Sequence, residues 1–190
     1  MSTWVDELEP DAPDIVAAWS GIEVGRTADV RREVRRVTGH GTAERIVPQL
    51  AALAQAFATV VEGLTDEDLA RDGGEEDWNV AQAIGHACDA RAGLSLAAAR
   101  AAAGQWPPNA PSVVPGVPGP ADADRATLLR RIAQSQRIVE RSARTVAGHE
   151  TDPCPLVHPL VGRLRCGEWL VFAGVHDLMH LEQLHTMMRG

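Results

Sequence analysis

The chain has 190 residues, 45% hydrophobic, 23% charged and 4% aromatic, with no tyrosine, and a chain of this length buries roughly 70% of its unfolded surface in one core. Alanine-rich stretches in place of Val, Ile, Thr and Tyr runs exclude an all-β fold, and a net charge of -8 provides no field to attract nucleic acid. No stretch reaches the ~20 uninterrupted apolar residues of a membrane span, and the acidic start is unlike a secretory leader, so a soluble, cytoplasmic protein is expected, with neither nucleic acid nor membrane as partner.

Residues 1–41 read as a partly helical N-terminal extension, and residues 42–190 as the main unit. In the extension, residues 27–38 place Arg31, Arg32, Arg35 and Arg36 on one stripe at helical spacing, read as the solvated face of a short helix. From Thr42 the apolar residues Ile46, Leu50, Leu53, Phe57, Val60 and Leu64 step by four and three, the mark of a first long helix with one face in a core. Pro48 falls either in its opening turn or at a kink. After an acidic loop, residues 65–77, a second helix opens at Asn79, with Gln82 three residues on to complete a capping box, and runs to about Ala103. Residues 104–120 form a linker rich in proline and glycine. At about 3.3 Å per residue it is long enough to travel back along a ~30 Å helix and let the flanking helices lie parallel. A third helix starts near Asp122 or Asp124, carries Leu128, Ile132, Ser135, Val139, Ser142 and Val146 on one face, and stops at Gly148. Residues 149–165, with three prolines, read as a loop before a fourth helix from about Gly167 to Met188. Four long amphipathic helices predict an all-α helix bundle.

The fourth helix places His176 and His180 one turn apart on one face, the geometry in which two imidazoles grip one metal ion. Trp169, Phe172, Gln183 and Met187 fall near the same face, and His185 points the opposite way. Two histidines on a polar surface stripe are the plain alternative. Their bulky apolar neighbours argue for burial, and a buried imidazole must be hydrogen-bonded or ligated. His86, on the second helix, shares its face with Gln82, Asp89, Ala90, Gly93 and Ala97, small or polar residues that leave room for a ligand. Three histidines from two helices would make a tripod with an open coordination position, as in catalytic zinc sites. His40, His149 and His158 occur in turns and are expected to face solvent. Cys88 reads as a core thiol, and Cys154 and Cys166 as incidental reduced thiols. A zinc protease is disfavoured because only ten residues follow His180, leaving no place for a downstream ligand. A di-iron carboxylate site is disfavoured because Glu182 and His185 form the one element of the required kind and face away from His176.

Trp78-Asn79-Val80 leading into His86-Ala87-Cys88-Asp89, followed near the end by Glu168-Trp169-Leu170 leading into His176-Asp177-Leu178-Met179-His180-Leu181-Glu182-Gln183, resembles the DinB/YfiT-like superfamily of metalloenzymes. The likeness covers about Thr42 to Gly190. Asn79 stands where Ser or Thr is commoner, and Arg165 or Cys166 takes the place of the usual cap of the fourth helix. The resemblance implies a four-helix bundle with up-down-down-up connectivity and a divalent metal, zinc or nickel, held by His86, His176 and His180. Characterised relatives include mycothiol- and bacillithiol-dependent transferases, so it also implies a low-molecular-weight thiol as co-substrate.

The expected activity is therefore a metal-dependent thiol S-transfer. The thiol takes the open coordination position as thiolate and attacks a small electrophilic substrate. Asp89, Gln183 and Asp177 are candidates for orienting ligands through outer hydrogen bonds, and Trp78, Gln82, Trp169 and Phe172 for lining the cofactor site. A hydrolase using metal-bound water and a non-catalytic metal-binding or ligand-sensing bundle are the alternatives. A homodimer is the base expectation.

Overall fold

The computed structural model describes residues 3–22, 27–72, 78–110, 113–114, 116–159 and 161–188. The end of the predicted acidic loop, residues 73–77, and residues 111, 112 and 115 of the linker lie outside them. The chain is mostly helical. Three short or medium helices, α1 (Thr3–Leu8), α2 (Pro13–Ser20) and α3 (Thr27–Val37), precede α4 (Thr42–Gly63), α5 (Asp66–Ala70), α6 (Val80–Ala102) and α7 (Arg125–Val146). A two-stranded antiparallel sheet, β1 (Pro153–His158) and β2 (Gly162–Arg165), then leads directly into α8 (Cys166–Met187).

The long helices begin where their caps dictate. At α6 the Asn79 side chain accepts from the Gln82 backbone N–H at 2.8 Å, and the Gln82 side chain accepts from the Asn79 N–H at 3.1 Å, so two orphan donors of the first turn are satisfied reciprocally. At α7 the Asp124 carboxylate accepts from the Thr127 N–H at 2.7 Å. All six residues of the predicted α7 stripe are buried. The α4 stripe is buried from Ile46 to Phe57, but at its end Val61 replaces Val60 in the core. Pro48 lies in the interior of α4 on its exposed side. By length and composition α4 is also the one helix among the described residues that could cross a membrane; here its apolar face packs against α7 and α8.

Two sequence expectations need correction. The predicted loop at residues 65–77 contains α5, held by a second capping box between Thr65 and Asp68, with Leu69 buried beneath it. The expected loop at residues 149–165 is the β hairpin, a small addition to a chain that is otherwise helical, as expected of an all-α fold. In β1, Cys154 and Leu156 point inward and Pro153 and Pro155 outward, a period of two that prolines on an edge strand tolerate.

The extension packs onto the main helices. Gly174 of α8 receives Ile15 of α2 so closely that a Cβ there would meet the Ile15 side chain at 2.5 Å. The arginine stripe of α3 is exposed, and Arg32, Arg35 and Arg36 of it are paired: Arg32 and Arg36 with Glu33, and Arg35 with Glu168, the last at 2.8 Å. Because Glu168 also accepts from the Arg165 N–H, it caps α8 although Arg165 offers no capping side chain. With α2 and α3 on one side and α4 and α6 on others, α8 is buried around most of its circumference, not on one face as an amphipathic helix would be.

After α6 the linker runs back along that helix. Val114 N–H donates to the Val157 carbonyl, and Gly119 N–H to the Gln82 carbonyl at 3.0 Å, before the Ala121 carbonyl accepts from the Asn79 side chain. The crossing at Gly85 and Gly119 leaves no room for side chains: a Cβ on Gly119 would lie 2.6 Å from Gly85 Cα and 2.8 Å from Gln82 O. Both neighbours are backbone and cannot swing away. Gly119→Ala is expected to lift the linker off α6 and destabilise the protein by about 1–3 kcal/mol in urea denaturation.

Candidate metal centre

His86 projects from the second turn of α6 towards α8, where His176 and His180 sit one turn apart. One nitrogen from each of the three can be chosen so that all lie within 4.8 Å of one another, and the ring centroids are 4.5 to 5.4 Å apart. His176 and His180 are buried and His86 is half-buried. The trio can hold a metal ion.

Two of the rings are oriented by their Nδ1 atoms. Val117 O lies 2.8 Å from His86 Nδ1, and Gln183 Oε1 lies 2.9 Å from His180 Nδ1. A carbonyl oxygen only accepts, so each Nδ1 carries the proton and each Nε2 keeps its lone pair for a ligand. His176 Nδ1 is buried without a hydrogen-bond partner, an orphaned polar atom of the kind that ligation would satisfy. Burial, reinforced by the neighbouring His180 and His86, pushes the His176 pKa well below its usual value, and burial brings His180 down to about 4. Both are therefore neutral near pH 7, the state in which imidazole binds metal.

Acid should expose this poise. His180 takes up a proton near pH 6.5 in the unfolded chain and only near pH 4 in the folded one, so the unfolded state binds more protons across that interval and stability falls as pH falls. The chelator-treated wild type is expected to lose on the order of 3 kcal/mol more than His180→Gln between pH 6.5 and 4, measured by urea denaturation at each pH.

The imidazoles form one wall of a cavity of about 350 Å³ that Trp78, Phe172, Met179 and Gln183 also line. Trp78 packs 4.9 Å from the His86 ring and Phe172 6.1 Å from His176. His158, expected in solvent, lines the same cavity at the end of β1, its ring 5.0 Å from Phe172. No spacing in the sequence signalled this, because the hairpin brings it there. His40 and His149 are exposed, and His185 stacks on Trp4.

Other expected site residues are placed elsewhere. Gln82 is committed to the α6 cap, and Trp169 is wholly buried, edge-on to Phe172 and behind the cavity. Asp89 is exposed and gripped by Arg131 through both carboxylate oxygens, at 2.7 and 2.6 Å. Asp177 turns about 100° away from His176 into the core, where its nearest cation is Arg91, at 3.4 Å. Of the three candidates for orienting ligands, Gln183 is the one hydrogen-bonded to an imidazole of the trio.

No curated protein and no solved structure matches the chain. Residues 49–184, which include all three histidines and most of the four long helices, match the DinB superfamily. The match spans well over half of the sequence, and the chain belongs to the DinB superfamily.

Proposed function

We propose that the protein is a metal-dependent thiol S-transferase in which His86, His176 and His180 hold one divalent ion, zinc or nickel, and a low-molecular-weight thiol of the mycothiol type is the co-substrate. The observation that carries this reading is the convergence of three imidazoles on a cavity whose described lining contains no hydroxyl, thiol, amine or carboxylate of the protein's own. The chain's thiols are out of play: Cys88, Cys154 and Cys166 are buried away from the cavity, and burial raises Cys88 and Cys166 to about 12. The nucleophile is then a ligand.

An ion held by the trio supplies the Lewis acidity that brings a small thiol's pKa down from about 8.5. The protein's part is orientation and exclusion. Val117 O and Gln183 Oε1 fix two rings. The trio contains no carboxylate, so its neutral donors would leave the charge of a bound ion available to attract an anionic ligand. Phe172 and Trp78 wall the cavity with apolar surface beside the imidazoles.

The accompanying bundle reading is up-down-down-up. It is supported by the contact of the α6 and α7 starts through Asn79 and Ala121, by Arg125 at the start of α7 donating to Leu64 at the end of α4, and by Glu150 linking the starts of α4 and α8, against Ala43 N and beneath Gly167.

The test is to incubate metal-loaded protein with a chromogenic aryl halide, with and without a small thiol. Turnover is expected to require both metal and thiol. Turnover indifferent to thiol would sink the transferase reading and favour a metal-dependent hydrolase.

A further inference from the structure

We infer that a second cavity, which adjoins the first across a wall that includes His86, binds an elongated apolar small molecule that ends in a carboxylate or similar anion. The cavity holds about 360 Å³, room for about a dozen non-hydrogen atoms at roughly 30 Å³ per water-sized group. It exists because one face of α6 carries almost no bulk: Ala90, Gly93 and Ala97 follow His86 along the stripe, and a Cβ built on Gly93 meets nothing within 4 Å. The linker and hairpin cover it with Trp106, Val114 and Leu156. Leu96, Val113 and Val117, also lining it, are left largely exposed as large apolar side chains.

Charge sets the polarity of the ligand. Two charged side chains line this space, Asp89 and Arg100. Asp89 is neutralised by the two-pronged contact with Arg131, whereas Arg100 has no ion-pair partner among the described residues. An arginine free at one end of an apolar slot suits a carboxylate, which it can engage with two parallel hydrogen bonds. His86, Ala90, Leu94 and Val114 line both cavities. At about 1.5 Å per residue, α6 runs about 21 Å from His86 to Arg100. A molecule anchored by its anion at Arg100 therefore lies along α6 with its apolar end toward the shared wall. The assignment rests on the cavity and Arg100 and holds with or without an ion at the histidines.

The experiment is calorimetric titration of the full chain, metal-loaded and chelated, with decanoate below its micelle-forming concentration and with decanol as the uncharged control. Saturable one-site binding of decanoate is expected in both metal states. Arg100→Gln should weaken decanoate at least about tenfold, the loss of a charged hydrogen bond, and leave decanol within about twofold. Gly93→Leu should abolish binding of both by filling the slot. Because its Cβ enters open space and leucine favours helix over glycine, its melting temperature should not fall. No saturable binding to the wild type, undiminished binding to Gly93→Leu, or no effect of Arg100→Gln would overturn the inference. So would decanoate binding seen with metal-loaded protein alone, which would place the carboxylate at the ion.

Discussion

On the proposed reading, replacing His176 with alanine is expected to reduce bound divalent metal from about one ion per chain to a small fraction of that, and the proposed thiol-dependent turnover by at least about 100-fold. Losing an outer hydrogen-bond partner of a metal ligand already costs about 10–100-fold, and His176 is itself one of three donors, buried on α8. Elemental analysis of the purified variant against wild type reads the metal directly, and equal content would remove this site from the functional argument. Stability separates ligation from folding. Once metal is chelated, the variant should melt within a few degrees of wild type, because it discards a buried Nδ1 that had no partner. Metal-loaded wild type should melt higher than both by the free energy of ion binding.

Arg91→Met is expected to cost about 3–5 kcal/mol of stability, the usual penalty for stranding one member of a buried ion pair. Against a total of about 5–15 kcal/mol this lowers the melting temperature by about 10 °C. Arg91 is 1% exposed, and from α6 it reaches the Leu50 carbonyl of α4 at 2.7 Å, Gln136 of α7 at 3.0 Å and Asp177 of α8 at 3.4 Å, so it ties all four long helices together. Asp177 is wholly buried, and burial raises its carboxyl to about 7 against the pull of Arg91. A folded-state pKa above the unfolded value makes stability fall as pH rises from about 4 to about 7. Removing Arg91 raises the carboxyl further and carries that fall to higher pH. The deficit of Arg91→Met should therefore be larger at pH 8 than at pH 5 in urea denaturation. Adding Asp177→Leu should recover most of the loss at both, since an apolar pair leaves no buried charge.

Much of the scaffold was legible in local spacing. The α6 cap at Asn79 and Gln82, the six buried positions of α7 and the course of α4 follow from contacts within a few residues, which propensity and periodicity report. The same holds for the pairing of His176 with His180, since four residues of helix place two side chains on one face whatever surrounds them. The small residues after His86 likewise announced a space, and the structure keeps it open at Gly93.

What local spacing does not contain is the identity of the neighbour that each face meets. Asp177 and Gln183 are both close to the histidines in sequence, yet one is turned to Arg91 in the core and the other to His180. Asp89, on the His86 stripe, is drawn outward by Arg131 of another helix. His158 reaches the cavity because a hairpin of edge-strand prolines folds over it, and Val117 reaches His86, 31 residues away in the chain, because two glycines let the backbones cross. The amino-acid order thus determined the helices and the directions of side chains relative to their own axes. The tertiary structure alone decided which of those directions point at the imidazoles, because desolvation, ion pairing and close backbone contact depend on segments that come together only once the chain has folded.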